Sequence, residues 1–371
     1  MSFMSRNTNN PSSSSSSWSR FGGQDGVVEA LHLLAWTASG FDWYVLNLEN
    51  GVISQTLSRM PPKARRGSTA VACGNQIFVL GGACGRDPTC PDGKIHEIHL
   101  HDYVFYFDYR HPENGWREAS PMLLQRMKPS AVTLDGKIYV FGGSAVGRFA
   151  EVLDIGQNSR ALRRPPYASN IDPVSVSYPV LLDSSRSRIL VHFACNNSLY
   201  AYNVNDKSWH CLNENFGKWS FAAVIVDDVL YSLVDSREDL YCFSETECSL
   251  RGYDVVENKH LPAKWLPEFQ VCVPNHADLF HLGNGNLCLA WYSELEMHFY
   301  YIKFNVCKNS GEVHATGESD SVTCVEFQTS YCQISLLELK MVNISQNIEY
   351  ESKPWIDGEK LGSLKMKGAY I

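Results

Sequence analysis

Two stretches of this chain repeat one another: Arg66-Gly-Ser-Thr-Ala-Val-Ala-Cys-Gly-Asn-Gln-Ile-Phe-Val-Leu-Gly81-Gly82 and Met127-Lys-Pro-Ser-Ala-Val-Thr-Leu-Asp-Gly-Lys-Ile-Tyr-Val-Phe-Gly142-Gly143. Each reads as an apolar strand, a tight turn (Gly74-Asn75 or Asp135-Gly136), a second strand and two glycines. Asp-Gly suits a two-residue hairpin, because the positive φ angles of such a turn cost glycine nothing. Weaker copies of the second strand start at Leu31, Ile189, Val229 and Leu287. Counted over all six (31, 77, 138, 189, 229, 287), the spacings are 46, 61, 51, 40 and 58 residues. A hairpin unit recurring at that period cannot bury its apolar faces alone and has to pack against copies of itself.

From about residue 27 onward the chain consists of short apolar runs rich in Val, Ile, Leu, Phe and Tyr, separated by Gly, Asn, Asp and Pro, with no helical period. That pattern predicts an all-β protein. Two runs carry a second signature, an aromatic strand followed by a polar turn and a tryptophan: Tyr103 to Asp108 with Trp116, and Leu199 to Asn203 with Trp209. These aromatics are expected to cement one unit to the next. The first unit lacks an innermost strand, and the apolar run from Cys332 to Val342 could supply it from the far end of the chain, removing the open edge. Residues 1–26, with a serine run at 12–17, are expected to be a disordered tail and 346–371 a polar tail, leaving 27–345 as the folded body.

With these residues in place, the Gly-Gly units resemble kelch repeats. Asp42-Trp-Tyr-Val-Leu-Asn-Leu, Ile77-Phe-Val-Leu-Gly-Gly and Asp227-Asp-Val-Leu-Tyr-Ser-Leu look like the propeller of plant F-box/kelch-repeat proteins. The resemblance covers residues 27–342 and is specific for the two central blades. It implies a kelch-type β-propeller of six four-stranded blades, with Gly81, Gly82, Gly142, Gly143, Trp116 and Trp209 as structural motif residues. In that family an F-box of roughly forty residues docks a Skp-type adaptor of a ubiquitin ligase, and the propeller recruits the substrate. About 26 mostly polar residues precede the first strand here, so the expectation covers the substrate-binding half and not the adaptor.

With strands running outward from the axis, the loop entering each first strand and the loop leaving each second strand emerge on one face. On that face the sequence puts Arg65, Arg66, Arg126 and Lys128 before first strands, and Arg86 and Arg148 after the double glycines. Lys218, Trp219, Asp235, Arg237, Trp291 and Tyr292 hold the corresponding places further on. Basic residues gather there although the net charge is −8. Arginine and tryptophan are enriched in binding hot spots, and bidentate arginine contacts suit an acidic or phosphorylated peptide. The expectation is a protein-interaction module and not an enzyme.

The acidic balance argues against general affinity for nucleic acid or anionic membrane, and no apolar run is long enough for a transmembrane helix. Twelve scattered cysteines, several within apolar runs (Cys195, Cys242, Cys288), and a start without an apolar signal segment point to cytoplasm or nucleus. The sequons at Asn196 and Asn343 are then chance matches. Cys84, Cys90, His96, His99 and His101 bear zinc-type donors, but no Cys-x-x-Cys knuckle accompanies them and no cofactor is expected. The alternative is a metal-dependent enzyme on the same scaffold, of the galactose-oxidase type, although no local motif gathers its Tyr, Cys and His. Phosphate-loop, dinucleotide and nucleophile-elbow motifs are absent.

Overall fold

In the second strand of each repeat nearly every residue is apolar, because both faces of that strand are covered. In the computed structural model Ile77 and Val79 pack toward one neighbouring sheet, and Phe78 and Leu80 toward the other. Ile138 and Val140 alternate with Tyr139 and Phe141 in the same way. The structure describes residues 30–37, 40–55, 57, 59–84, 99–144, 149–155, 160–162, 176–217, 222–235, 248–264, 277–293, 296–317, 322–327 and 331–335, and the expected tails lie outside these.

Six sheets follow one another along the chain. Blade I contains β1 (Ala30–Thr37), β2 (Gly40–Asn47) and β3 (Ile53–Gln55). Blade II contains β4 (Arg66–Cys73), β5 (Gln76–Cys84), a short β6 (His99–Leu100), β7 (Val104–Asp108) and β8 (Trp116–Glu118). Blade III is β9 (Ser130–Leu134), β10 (Lys137–Phe141), β11 (Ala150–Asp154) and β12 (Arg160–Ala161). Blade IV is β13 (Leu181–Asp183), β14 (Arg188–Phe193), β15 (Ser198–Asn203) and β16 (Ser208–Asn213). Blade V is β17 (Ala223–Val226), β18 (Val229–Asp235), β19 (Cys248–Asp254) and β20 (Lys259–Leu261).

Blade VI departs from the pattern. Its first three strands are β22 (Asp278–Gly283), β23 (Asn286–Ser293) and the long β24 (His298–Asn309). The outer edge of β24 is shared between β25 (Glu312–Gly317) and β26 (Thr323–Glu326), and β21 (Ala263–Lys264) adds to β25 in parallel.

The last described strand, β27 (Tyr331–Ser335), returns to blade I and pairs antiparallel with β1 from His32↔Ser335 to Trp36↔Tyr331. It is the innermost strand that the first repeat lacked, and its position agrees with the expectation placed on the run beginning at Cys332. All six second strands fall where the repeat spacing put them, in β1, β5, β10, β14, β18 and β23. The six hydrophobic clusters lie one between each pair of neighbouring blades. One of them joins Leu31, Leu33 and Leu46 of blade I to Cys288, Tyr292 and Phe299 of blade VI, which closes the ring.

The tryptophans act as expected. Trp116 of blade II stacks on Trp43 of blade I with centroids 5.8 Å apart. Trp209 of blade IV lies 5.8 Å from Phe149 of blade III. With the strands of a blade lettered a to d in chain order, four a–b and c–d turns (Asp135-Gly136, Asp227-Asp228, Asn284-Gly285, Ser310-Gly311) have positive φ at both central residues, the geometry that follows strand twist.

Candidate functional site

The double glycines set the geometry of the face on which the first strands begin. A Cβ on Gly81 would sit 2.5 Å from the Arg126 carbonyl oxygen, and one on Gly143 the same distance from the Met127 carbonyl oxygen. At Gly82 it would meet Ser68 Oγ at 2.7 Å. Backbone bonds run through the space these missing side chains leave: Gly82 N–H to Arg126 O (2.8 Å), Met127 N–H to Gly143 O (2.8 Å) and Lys128 N–H to Gly67 O (2.6 Å). The segment entering blade III is thereby fastened to blades II and III together.

Arg126 occupies the centre of this junction and is wholly buried, with 0% of its surface exposed. Its Nε donates to Glu151 Oε1 (2.9 Å), and its Nη1 donates to the carbonyl oxygens of Gly142 (2.5 Å) and Phe149 (3.4 Å). Glu151, also at 0%, accepts from the Leu123 N–H at 2.6 Å. Burial draws the guanidinium pKa down and Glu151 pushes it back up. Arg126 therefore braces the loops and presents no charge to a partner, which corrects its assignment from sequence. Arg65, its repeat equivalent, is partly buried and donates from Nη1 to the carbonyls of Pro62 (2.6 Å) and Ala64 (3.0 Å).

Trp291 and Tyr292 require the same correction. At the end of a second strand successive side chains turn to opposite neighbours. Trp291 is buried between blades V and VI, stacked on Tyr300 at 5.5 Å. Tyr292 is buried between blades VI and I, with its hydroxyl donating to Phe327 O at 3.1 Å. Arg86, Arg148, Lys218, Trp219 and Arg237 lie outside the described residues, as does the side chain of Asp235. Arg66 and Lys128 are exposed, as expected.

The face also holds groups that the sequence did not single out. Met127 (37%) and Tyr178 (36%) are exposed beside the two basic residues. Asp278, at the start of the first strand of blade VI, is half-buried. Burial pushes its carboxyl up to about 7. Next to Tyr178, Ser177 Oγ lies 2.8 Å from His192 Nδ1, and His192 Nε2 lies 3.0 Å from Gly217 O. Nε2 must carry the proton to satisfy that carbonyl, so Nδ1 accepts from the serine hydroxyl. Burial holds the imidazole below its ordinary range and keeps it neutral near pH 7.

Among the described residues no group of three or more His, Cys, Asp or Glu is arranged to hold a metal ion. Cys84 Sγ and His101 Nε2 are 3.1 Å apart, while Cys90 and His96 lie outside the described residues.

An F-box/kelch-repeat protein of Arabidopsis thaliana is 25% identical over 297 residues, 74% of this chain and 63% of that protein. A second one from the same plant is 28% identical over 174 residues, 45% of this chain and 38% of that protein. The chain is a six-bladed β-propeller similar in sequence to these kelch-repeat proteins. Kelch repeat and BTB domain-containing protein 2 of Pongo abelii is 27% identical over 183 residues, covering 46% of this propeller and 28% of its own chain. The solved structure of YjhT shares the fold, with a TM-score of 0.51 at 11% identity over 77% of this chain and 94% of that one. No family model matches. The propeller spans less than two thirds of the length of each of these curated relatives.

Proposed function

We propose that this propeller is a protein-interaction module that takes an acidic segment of its partner on the face where the first strands begin. The observation that carries the reading is the exposed set Arg66, Met127, Lys128 and Tyr178, contributed by segments entering three successive blades. Two cations, an aromatic and a methionine on one surface of a protein of net charge −8 form the composition of an interface core with electrostatic complementarity to an anionic segment. The likeness to F-box/kelch-repeat proteins supports a further step, in which the captured protein is a substrate of a ubiquitin ligase, and the scattered cysteines favour cytoplasm or nucleus as the compartment. No arrangement among the described residues of this face favours the metal-dependent enzyme.

The test is affinity capture from a native extract with three proteins: wild type, Arg66→Ala/Lys128→Ala, and Arg110→Ala/Lys207→Ala, the last altering exposed cations in c–d turns on the opposite face. The expected result is a partner retained by wild type and by the opposite-face variant and lost by the first variant. Equal capture by all three would overturn the reading.

A further inference from the structure

Counted from Leu31, Ile77, Ile138, Ile189, Val229 and Leu287, the fourth position of the second strand is buried in every blade, and in five of them it is apolar or small: Leu34, Leu80, Phe141, Ser232 and Ala290. Blade IV puts an imidazole there, His192, with 1% of its surface exposed. The hydroxyl beside this position departs from the pattern as well. In blades II and III, Thr69 and Ser130 stand opposite Leu80 and Phe141 and tie their blade to the segment entering the next. Thr69 Oγ1 donates to Pro129 O, and Ser130 Oγ accepts from the Val180 N–H at 2.7 Å. In blade IV, Ser177 gives its N–H to His192 O (2.9 Å) and turns its hydroxyl inward to His192 Nδ1 (2.8 Å). Behind the imidazole stands Gly217 O, 3.0 Å from Nε2. Gly217 has a φ of +91° and open space where a Cβ would be, so the residue is glycine for the backbone conformation that aims this carbonyl. The Phe216 ring lies 5.9 Å from the imidazole.

A hydroxyl, an imidazole that accepts from it and a fixed acceptor behind the imidazole are the parts of an activated serine. Gly217 O holds the place that a carboxylate holds in a Ser-His-Asp triad, fixing the tautomer and the ring. Ser177 itself is half-buried, next to the exposed Tyr178, so an acyl donor can reach it from solvent. We propose that Ser177 and His192 are a nucleophile and general base that transfer the acyl group of a small ester to water. The inference stands apart from the anionic-segment reading. In the first half, Ser177 Oγ bonds to the ester carbonyl carbon as its proton passes to His192 Nδ1. The bond from that carbon to the alcohol oxygen then breaks, and the alcohol leaves with the proton. In the second half, water gives a proton to Nδ1 and its oxygen bonds to the acyl carbon. The bond to Ser177 Oγ breaks as Oγ recovers the proton, so ester and water enter and acid and alcohol leave. The imidazolium of each half keeps its Nε2 bond to Gly217 O.

Two probes test it on the full chain as wild type, Ser177→Ala and His192→Gln, each checked for native far-ultraviolet circular dichroism. An alkyl fluorophosphonate, followed by intact mass and peptide mapping, reads the nucleophile. Release of p-nitrophenol from p-nitrophenyl acetate reads turnover. The expected result is one phosphonyl group on Ser177, added at least about a hundredfold more slowly in His192→Gln. Turnover above the buffer rate is expected in wild type and is lost in Ser177→Ala. Burial keeps His192 neutral near pH 7 and above, so the wild-type labelling rate stays level from pH 7 to pH 9. A serine with no base beside it quickens about tenfold per pH unit with hydroxide. No label on Ser177, labelling unchanged by His192→Gln, no turnover in wild type, or turnover that survives Ser177→Ala would each overturn the proposal. Should His192→Gln fail to fold, the wild-type pH profile takes its place: a level rate supports the base, and a tenfold rise per unit overturns it.

Discussion

Replacing Arg126 with methionine keeps most of the side-chain volume and removes the guanidinium from a site with no access to water. Glu151 would then keep one donor, the Leu123 N–H, and the Gly142 carbonyl would lose the guanidinium, while the Phe149 carbonyl keeps the Gly142 N–H. Breaking a buried pair by deleting one partner costs about 3–5 kcal/mol, because a charge is left uncompensated. The freed Gly142 carbonyl adds to that cost. At about 2.1 cal/mol/K of unfolding entropy per residue, a domain of roughly 300 residues shifts its Tm by about 1.5 °C per kcal/mol, so the variant should melt at least about 5 °C below wild type. Urea unfolding followed by tryptophan fluorescence gives the same quantity through the midpoint. The diagnostic comparison is the double variant Arg126→Met/Glu151→Gln, which removes both charges while the amide oxygen still accepts from Leu123. It should regain at least about 2 kcal/mol over Arg126→Met alone. A single-variant loss below about 1 kcal/mol, or a double-variant loss equal to the sum of the singles, would refute the assignment of Arg126 as a brace.

Three further outcomes follow from the same structure. Gly81→Ala should cost more than Gly136→Ala: both have positive φ, but the new methyl at 81 meets the Arg126 carbonyl and at 136 meets open space, which differential scanning calorimetry would resolve. Phe193→Ala, which empties the contact of Phe149, Tyr200 and Trp209 between blades III and IV, should lose about 3–5 kcal/mol in urea. His32 is pushed down to about 4 by burial, so the unfolded chain takes up its proton first as the pH falls from 6.5 to 4. Stability relative to His32→Gln should decline over that window, by up to about 3 kcal/mol, and be flat above pH 7.

The strand-level architecture was readable because each part of it has a local cause. Ile77 and Ile138 begin continuous apolar runs, as a strand buried on both faces requires, and the turn Asp135-Gly136 marks where a hairpin reverses. The closing strand was visible as an apolar run with no partner nearby. The proposed binding face was readable only in part. An arginine beside a turn looks the same in sequence whether it faces solvent, as Arg66 does, or a glutamate 25 residues on, as Arg126 does. Trp291 and Tyr292 lie at a strand end where only the neighbouring blades decide exposure.

The most direct test of the binding face is hydrogen-exchange mass spectrometry on the propeller with and without its captured partner. The account predicts slowed exchange in the segments around Arg66, Met127–Lys128 and Ser177–Tyr178, with the c–d turns at Tyr109–Arg110 and Asp206–Lys207 unchanged. Protection confined to those turns, or to the outer edges of the blades, would contradict it.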